Sequence, residues 1–263
     1  MIRLDDVSVA IGKRTILGGV TFEAAPRGLT VIVGPNGSGK TTLMKAMSGE
    51  MAYGGSITMN GYEVSKAESA RQALMRAVLP QATALSFPFT VREIVNLGVL
   101  SGRSGVRGGF GFDLVEQALA AVDLQGFSGR FYQELSGGEQ QRVQLARVLC
   151  QVWEPVLDGQ PRYLFLDEPV SSLDIKHQLA IMETARGFAD RGGGVIAILH
   201  DLNLAAMYAD NIIVLARGRM VAAGSPRQVI RDSVIATAFE CNLGVGKTPS
   251  GGAPFVLPQS FSP

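Results

Sequence analysis

Residues 29–49, LTVIVGPNGSGKTTLMKAMSG, leave few folds open. Leu29 to Val33 is continuously apolar, as a strand must be when a parallel sheet buries both of its faces. YLFLD (163–167) and VIAIL (195–199) read the same way, and helical patterns separate the three runs. Strands alternating with helices point to a parallel α/β sheet. Two other stretches, VTFEA (20–24) and GGSITMNGYEV (54–64), alternate instead, with Asn60-Gly61 as a hairpin turn.

The first buried strand runs straight into glycine. Gly34-x-x-x-x-Gly39-Lys40-Thr41 fits the full phosphate-loop pattern, between a buried strand and a helix start. Glycines let successive backbone N–H groups converge on phosphate oxygens, and the following helix offers its positive end. The cradle comprises Gly34, Pro35, Asn36, Gly37, Ser38, Gly39, Lys40, Thr41 and Thr42. Lys40 reaches the β- and γ-phosphates and the Thr41 hydroxyl suits Mg²⁺. GTPases and small-molecule kinases share such a loop, so the pattern alone predicts a bound nucleoside triphosphate and no more.

YLFLDEP narrows the choice. Its strand ends in Asp167, delivering a carboxylate suited to a Mg²⁺-bound water. Glu168 follows one residue beyond, where it polarises a water for attack on the γ-phosphate. LSGGEQQRVQLARVL (135–149) then opens on Ser136-Gly137-Gly138-Glu139, a capping box that starts a helix with exposed N–H groups. It is a second anion site, outside the phosphate loop.

These motifs, in this order over about residues 1 to 240, resemble the ATP-binding cassette (ABC) ATPases. The resemblance implies a P-loop NTPase core with an antiparallel β subdomain and an inserted helical subdomain. The expected division is a nucleotide-binding α/β core at 1–84 and 159–240, a helical signature subdomain at 85–158 and a carboxy-terminal tail at 241–263. Thr90-x-x-Glu93 and Asp113-x-x-Glu116 are expected to start helices within the insertion, around a glycine-rich loop at 101–111. The resemblance also assigns roles. Gln81 in LPQATA senses Mg²⁺ and the attacking water; Asp174, in SSLD (171–174), links two active sites across a dimer; His200 in ILHDL contacts the γ-phosphate. His177 is expected on a helix surface. The aromatic residue that stacks on adenine in the family is replaced by Ile11, which implies weaker or less selective adenine binding.

The same resemblance implies a head-to-tail homodimer, with ATP held between Gly34–Thr42 of one chain and Ser136–Gly138 of the other. Two transmembrane permease subunits complete the expected assembly, with a periplasmic or surface hemin-binding protein acting indirectly. VLPQATALSFPFTVREIVNLG and LHDLNLAAMYADNIIVLARGRMVAAGSP are similar to the importer branch serving iron-siderophores, hemin and cobalamin. CQVWEPVLDGQPR, longer than the usual linker, is similar to hemin-importer ATPases. Its Trp153 reads first as packing and second as a partner contact. A siderophore or cobalamin importer, a non-transport ABC ATPase and a phosphate-loop kinase are the other readings.

Composition trims these choices. A net charge of +1 gives no basic footprint for nucleic acid. No apolar run reaches bilayer length and the MIRLDDVSV start lacks a signal-peptide core, so a cytosolic chain is expected, and the resemblance implies a place at the cytoplasmic face of the bacterial inner membrane, held by the partners. Cys150 and Cys241 stand far apart, in no disulfide or zinc spacing.

Overall fold

The computed structural model describes residues 1–81, 87–101, 111–171, 173–248, 251–252 and 254–260, with backbone alone at 111–113. The chain opens with the hairpin β1 (Ile2–Ile11) and β2 (Arg14–Ala24), then β3 (Leu29–Val33) and α1 (Lys40–Met47). β4 (Gly54–Met59) and β5 (Tyr62–Glu63) follow, turning through Asn60 and Gly61, both at positive φ as a primed hairpin turn requires. Next come α2 (Ser69–Met75), β6 (Arg76–Leu79), α3 (Val91–Ser101), α4 (Gly111–Ala121) and α5 (Gly137–Gln151). The hairpin β7 (Val156–Leu157) and β8 (Gln160–Pro161) leads into β9 (Tyr163–Asp167), α6 (Ile175–Asp190), β10 (Gly194–Ile198) and α7 (Leu202–Tyr208). β11 (Asn211–Ala216), β12 (Arg219–Gly224), α8 (Pro226–Val229) and α9 (Asp232–Phe239) close the fold.

Six strands form the main sheet in the order β12-β11-β3-β10-β9-β6, parallel except for β12. An antiparallel sheet, β2-β1-β4-β5, packs beside it. The unbroken apolar runs follow from burial on both faces. Along β9, Leu164 and Leu166 enter the core shared with the helices, while Tyr163 and Phe165 enter the core shared with the antiparallel sheet and α1. Val195 and Ala197 of β10 divide from Ile196 and Ile198 in the same way. Each fully buried branched side chain stabilises the fold by about 1.5–3 kcal/mol relative to exposure. The short strand β6 was not evident from its four residues, too few to show a period.

Between β6 and β9 the chain is mostly helical. α3 begins where Thr90 and Glu93 cap each other, the Glu93 N–H donating to Thr90 Oγ1 at 3.3 Å and the Thr90 N–H to Glu93 Oε2 at 2.7 Å. α4 starts at Gly111, two residues before the expected Asp113 cap, and the loop at 102–110 lies outside the described residues. The long linker folds as the β7–β8 hairpin, straddling residue 158, and Trp153 is half-buried against the core, in keeping with a packing role. Gln259, in a 3-10 turn at Pro258–Ser260, donates to the Asn203 carbonyl at 3.1 Å and fastens the tail to α7.

α3 and α5 approach closely at Gly98, where an added Cβ would lie 1.9 Å from the Arg147 carbonyl oxygen. Helix propensity favours alanine over glycine by about 1 kcal/mol, but a backbone clash outweighs that gain. Gly98→Ala is therefore expected to destabilise the chain by about 1–3 kcal/mol in denaturant titration, against the usual sign for a helical glycine.

Candidate functional site

Parallel strands place their carboxyl ends at one sheet edge, and the motif residues collect there. Gly34 leaves β3 with φ 152°, and a Cβ on it would stand 2.0 Å from the Leu215 carbonyl oxygen; only glycine fits. Gly39 then takes φ 102°, the left-handed conformation glycine favours, as the residue before α1. Lys40, itself buried, donates from Nζ to the carbonyls of Gly34 at 2.9 Å and Pro35 at 3.1 Å. Burial pulls its ammonium below the ordinary lysine value, with the Glu168 and Asp167 carboxylates opposing that shift. The Ser38 Oγ is buried without a hydrogen-bond partner.

β9 delivers Asp167, buried and 3.4 Å from the Thr41 hydroxyl. Burial raises this carboxyl above the usual range and the neighbouring Glu168 charge adds to it, while Thr41, Lys45 and Lys40 pull the other way. The hydroxyl and carboxylate are hard oxygen donors, fitting a cation such as Mg²⁺. Among the described residues no group of three His, Cys, Asp or Glu side chains could hold a metal.

Glu168 turns out of the strand with φ 52°, an uncommon conformation for this residue that costs on the order of 1–3 kcal/mol. Its side chain is 13% exposed and both carboxylate oxygens are engaged. Gln81 donates from Nε2 to Oε2 at 2.8 Å, and His200 Nε2 lies 2.7 Å from Oε1. Gln141 of α5, which the sequence did not single out, donates to the Glu168 carbonyl at 3.1 Å. Its i+2 spacing from Glu139 carries no motif of its own. A cavity of ≈ 670 Å³ is lined by residues 36–42, by Gln81, Glu168 and His200, and by Arg14 and Ile16 of β2.

Other expected site residues stand elsewhere. Ser136 caps α5, accepting from the Glu139 N–H at 3.4 Å while its own N–H donates to Glu139 Oε2 at 2.8 Å. Neither Ser136, Gly137 and Gly138 nor Asp174 lines the cavity. Asp174 caps α6, accepting from the His177 N–H at 3.0 Å; Ser172, within the same segment, lies outside the described residues. His177 stands on α6 with its ring 20% exposed and Nδ1 2.8 Å from Asp174 Oδ1. Ile11 is 56% exposed at the end of β1 and does not line the cavity.

A family model described as "ABC transporter" matches residues 17–171. The chain is 66% identical over 260 residues to the hemin import ATP-binding protein HmuV of Mesorhizobium japonicum, covering 99% of each. It is 55% identical over 263 residues to the protein of that name from Rhizobium meliloti, again covering 99% of each. Its fold matches a solved ATP-binding subunit of an ABC transporter with TM-score 0.76 at 24% identity, over 92% of this chain and 94% of that one. An ATP-binding cassette solved as a post-hydrolysis dimer with ADP and Pi matches with TM-score 0.74 at 24% identity, over 86% of this chain and 99% of that one.

Because the folded protein raises the Asp167 value, this group binds protons more tightly folded than unfolded, and its penalty on stability grows as pH rises through the window between the two values. Asp167→Asn is expected to melt above the parent chain at neutral pH, with the difference closing as pH falls below that window. Thermal melts of the two proteins across pH check this.

Proposed function

The chain belongs to the ABC transporter family, and from that membership we propose that it is the ATP-hydrolysing subunit that energises a bacterial hemin importer. The observation that carries the ATPase half is one cavity holding the phosphate loop beside Glu168, Gln81 and His200. The cargo rests on whole-length similarity to hemin import ATP-binding proteins, since an ATPase subunit need not touch what is carried.

ATP enters with its β- and γ-phosphates in the loop at 34–42, and Lys40 exchanges the carbonyls of Gly34 and Pro35 for phosphate oxygens, a charge-assisted contact. Thr41 and Asp167, with Gln81, would hold Mg²⁺, which when bound would supply charge neutralisation for the phosphates. Glu168 accepts a proton from the attacking water as that water's oxygen bonds to the γ-phosphorus and the bridging oxygen leaves with ADP. To do so, Glu168 must first free a carboxylate oxygen from Gln81 or His200, and the partner so released turns to the water or the γ-phosphate.

Ser136, Gly137, Gly138 and Asp174 lie outside this cavity, which supports a second copy supplying its own set across a head-to-tail dimer. On this reading the 85–158 insertion transmits closure to two permease subunits at the cytoplasmic face of the inner membrane, and the hemin-binding protein acts beyond them. Among the described residues no helix is long and apolar enough to cross a membrane. The division into a core at 1–84 and 159–240, an insertion at 85–158 and a tail from 241 belongs to the same proposal.

Glu168→Gln is expected to keep ATP binding, lose at least a hundredfold in turnover and accumulate as a dimer on sizing columns with ATP. Wild-type turnover in that variant would remove Glu168 from its role. Lys40→Ala is expected to weaken nucleotide binding and abolish hydrolysis. The cargo is tested by growth on hemin as sole iron source: Glu168→Gln should abolish it and spare growth on free iron. Normal hemin growth would shift the assignment to siderophore or cobalamin uptake.

A further inference from the structure

The cavity wall divides into three parts. Residues 36–42 form the phosphate cradle, and Gln81, Glu168 and His200 form the hydrolysis cluster. What remains, among the described residues, is Arg14 and Ile16. If the cavity holds ATP as proposed above, the orientation follows. The γ-phosphate faces Glu168, because only there does the base reach the attacking water, and the β-phosphate fills the loop. The ribose and base must then extend away from the cluster onto the remaining wall, which is β2.

Among the described residues no aromatic side chain lines that wall. Ile11 pairs with Arg14 across the β1–β2 hairpin but lies outside the cavity. Arg14 and Ile16 are two residues apart on one strand and share a face. Ile16 is half-buried and packed against the core beneath the antiparallel sheet, giving a fixed apolar floor. Arg14 is exposed and makes no hydrogen bond or ion pair with any described residue, so its guanidinium is uncommitted.

We infer that Arg14 takes over base recognition in this chain, its guanidinium plane stacking on the nucleotide base over Ile16. A guanidinium is planar, delocalised and weakly hydrated, so it stacks face-on on π-systems, whereas a lysine ammonium is a compact, strongly hydrated point charge with no plane to stack. Stacking reads the π-face that every base has, so this contact supplies affinity with little choice between bases. Ile11 therefore costs less adenine affinity than its sequence position implies.

The test rests on the ATP reading and separates from it. The full-length chain and its Arg14→Ala, Arg14→Lys and Arg14→Tyr variants are titrated calorimetrically with ATP and with inorganic tripolyphosphate, which has the phosphates and no base. Arg14→Ala is expected to weaken ATP binding about 5- to 150-fold, the range for one lost stacking contact. Tripolyphosphate affinity should change less than about twofold. Arg14→Tyr should bind ATP like the parent and Arg14→Lys like the alanine variant. Unchanged ATP affinity in Arg14→Ala would overturn the inference alone. An equal loss for both ligands, or parent-like binding by Arg14→Lys, would overturn it too, because Arg14 would then act as a charge on phosphate. A parent chain that binds neither ligand would overturn the ATP reading and this inference together.

Discussion

The hydrogen-bonded register of three parallel strands underlies everything else here. Ile198 of β10 lies opposite Ile32 of β3 on one side and Asp167 of β9 on the other. Those pairings bring the loop after Val33, the carboxylates after Leu166 and the histidine after Leu199 to the same edge. Parallel ladders need crossovers and burial on both faces, and the two apolar cores flanking this sheet meet that need. A slip of one residue in β9 would send Asp167 to the opposite face and part it from Thr41.

Charge at that edge is held under tension. Burial raises the Asp167 carboxyl and lowers the Lys40 ammonium, so each is pushed toward its neutral form. A polyphosphate with its cation relieves both, since phosphate oxygens favour the charged lysine and a divalent ion favours the charged aspartate. The buried, unpartnered Ser38 hydroxyl is a further polar group that a ligand in the loop would satisfy. Glu168 is treated differently: Gln81, His200 and Gln141 hold its side chain and carbonyl from three separate parts of the chain. Its position therefore depends on the end of β6, the end of β10 and the start of α5 together, so movement of any one is felt at the carboxylate.

The expected motifs met different fates for physical reasons. The capping boxes at Thr90 and Ser136 formed because their hydrogen bonds are local, within three residues. The helix expected to start at Asp113 is described from Gly111, and Leu114, Val115, Ala118 and Leu119 along it are all buried in the core. His177 stands on the surface of α6 as expected, and its bond with Asp174 comes from the cap geometry of that helix. β6 gave no signal in four residues, and its place as the sheet edge depends on pairing with β9.

What the sequence determined was whatever rests on short-range chemistry. The glycines of the phosphate loop, the acidic strand end at Asp167-Glu168, the capped helix at Ser136 and the unbroken apolar strands all follow from spacing and side-chain type. What only the tertiary structure decided was adjacency between distant segments. Gln81 and Glu168 are 87 residues apart and 2.8 Å from bonded partner to bonded partner. Arg14 stands on the cavity wall while Ile11, three residues earlier, does not. No local propensity encodes those distances, because they depend on how a strand hairpin and a parallel sheet pack, and packing is settled by the whole core at once.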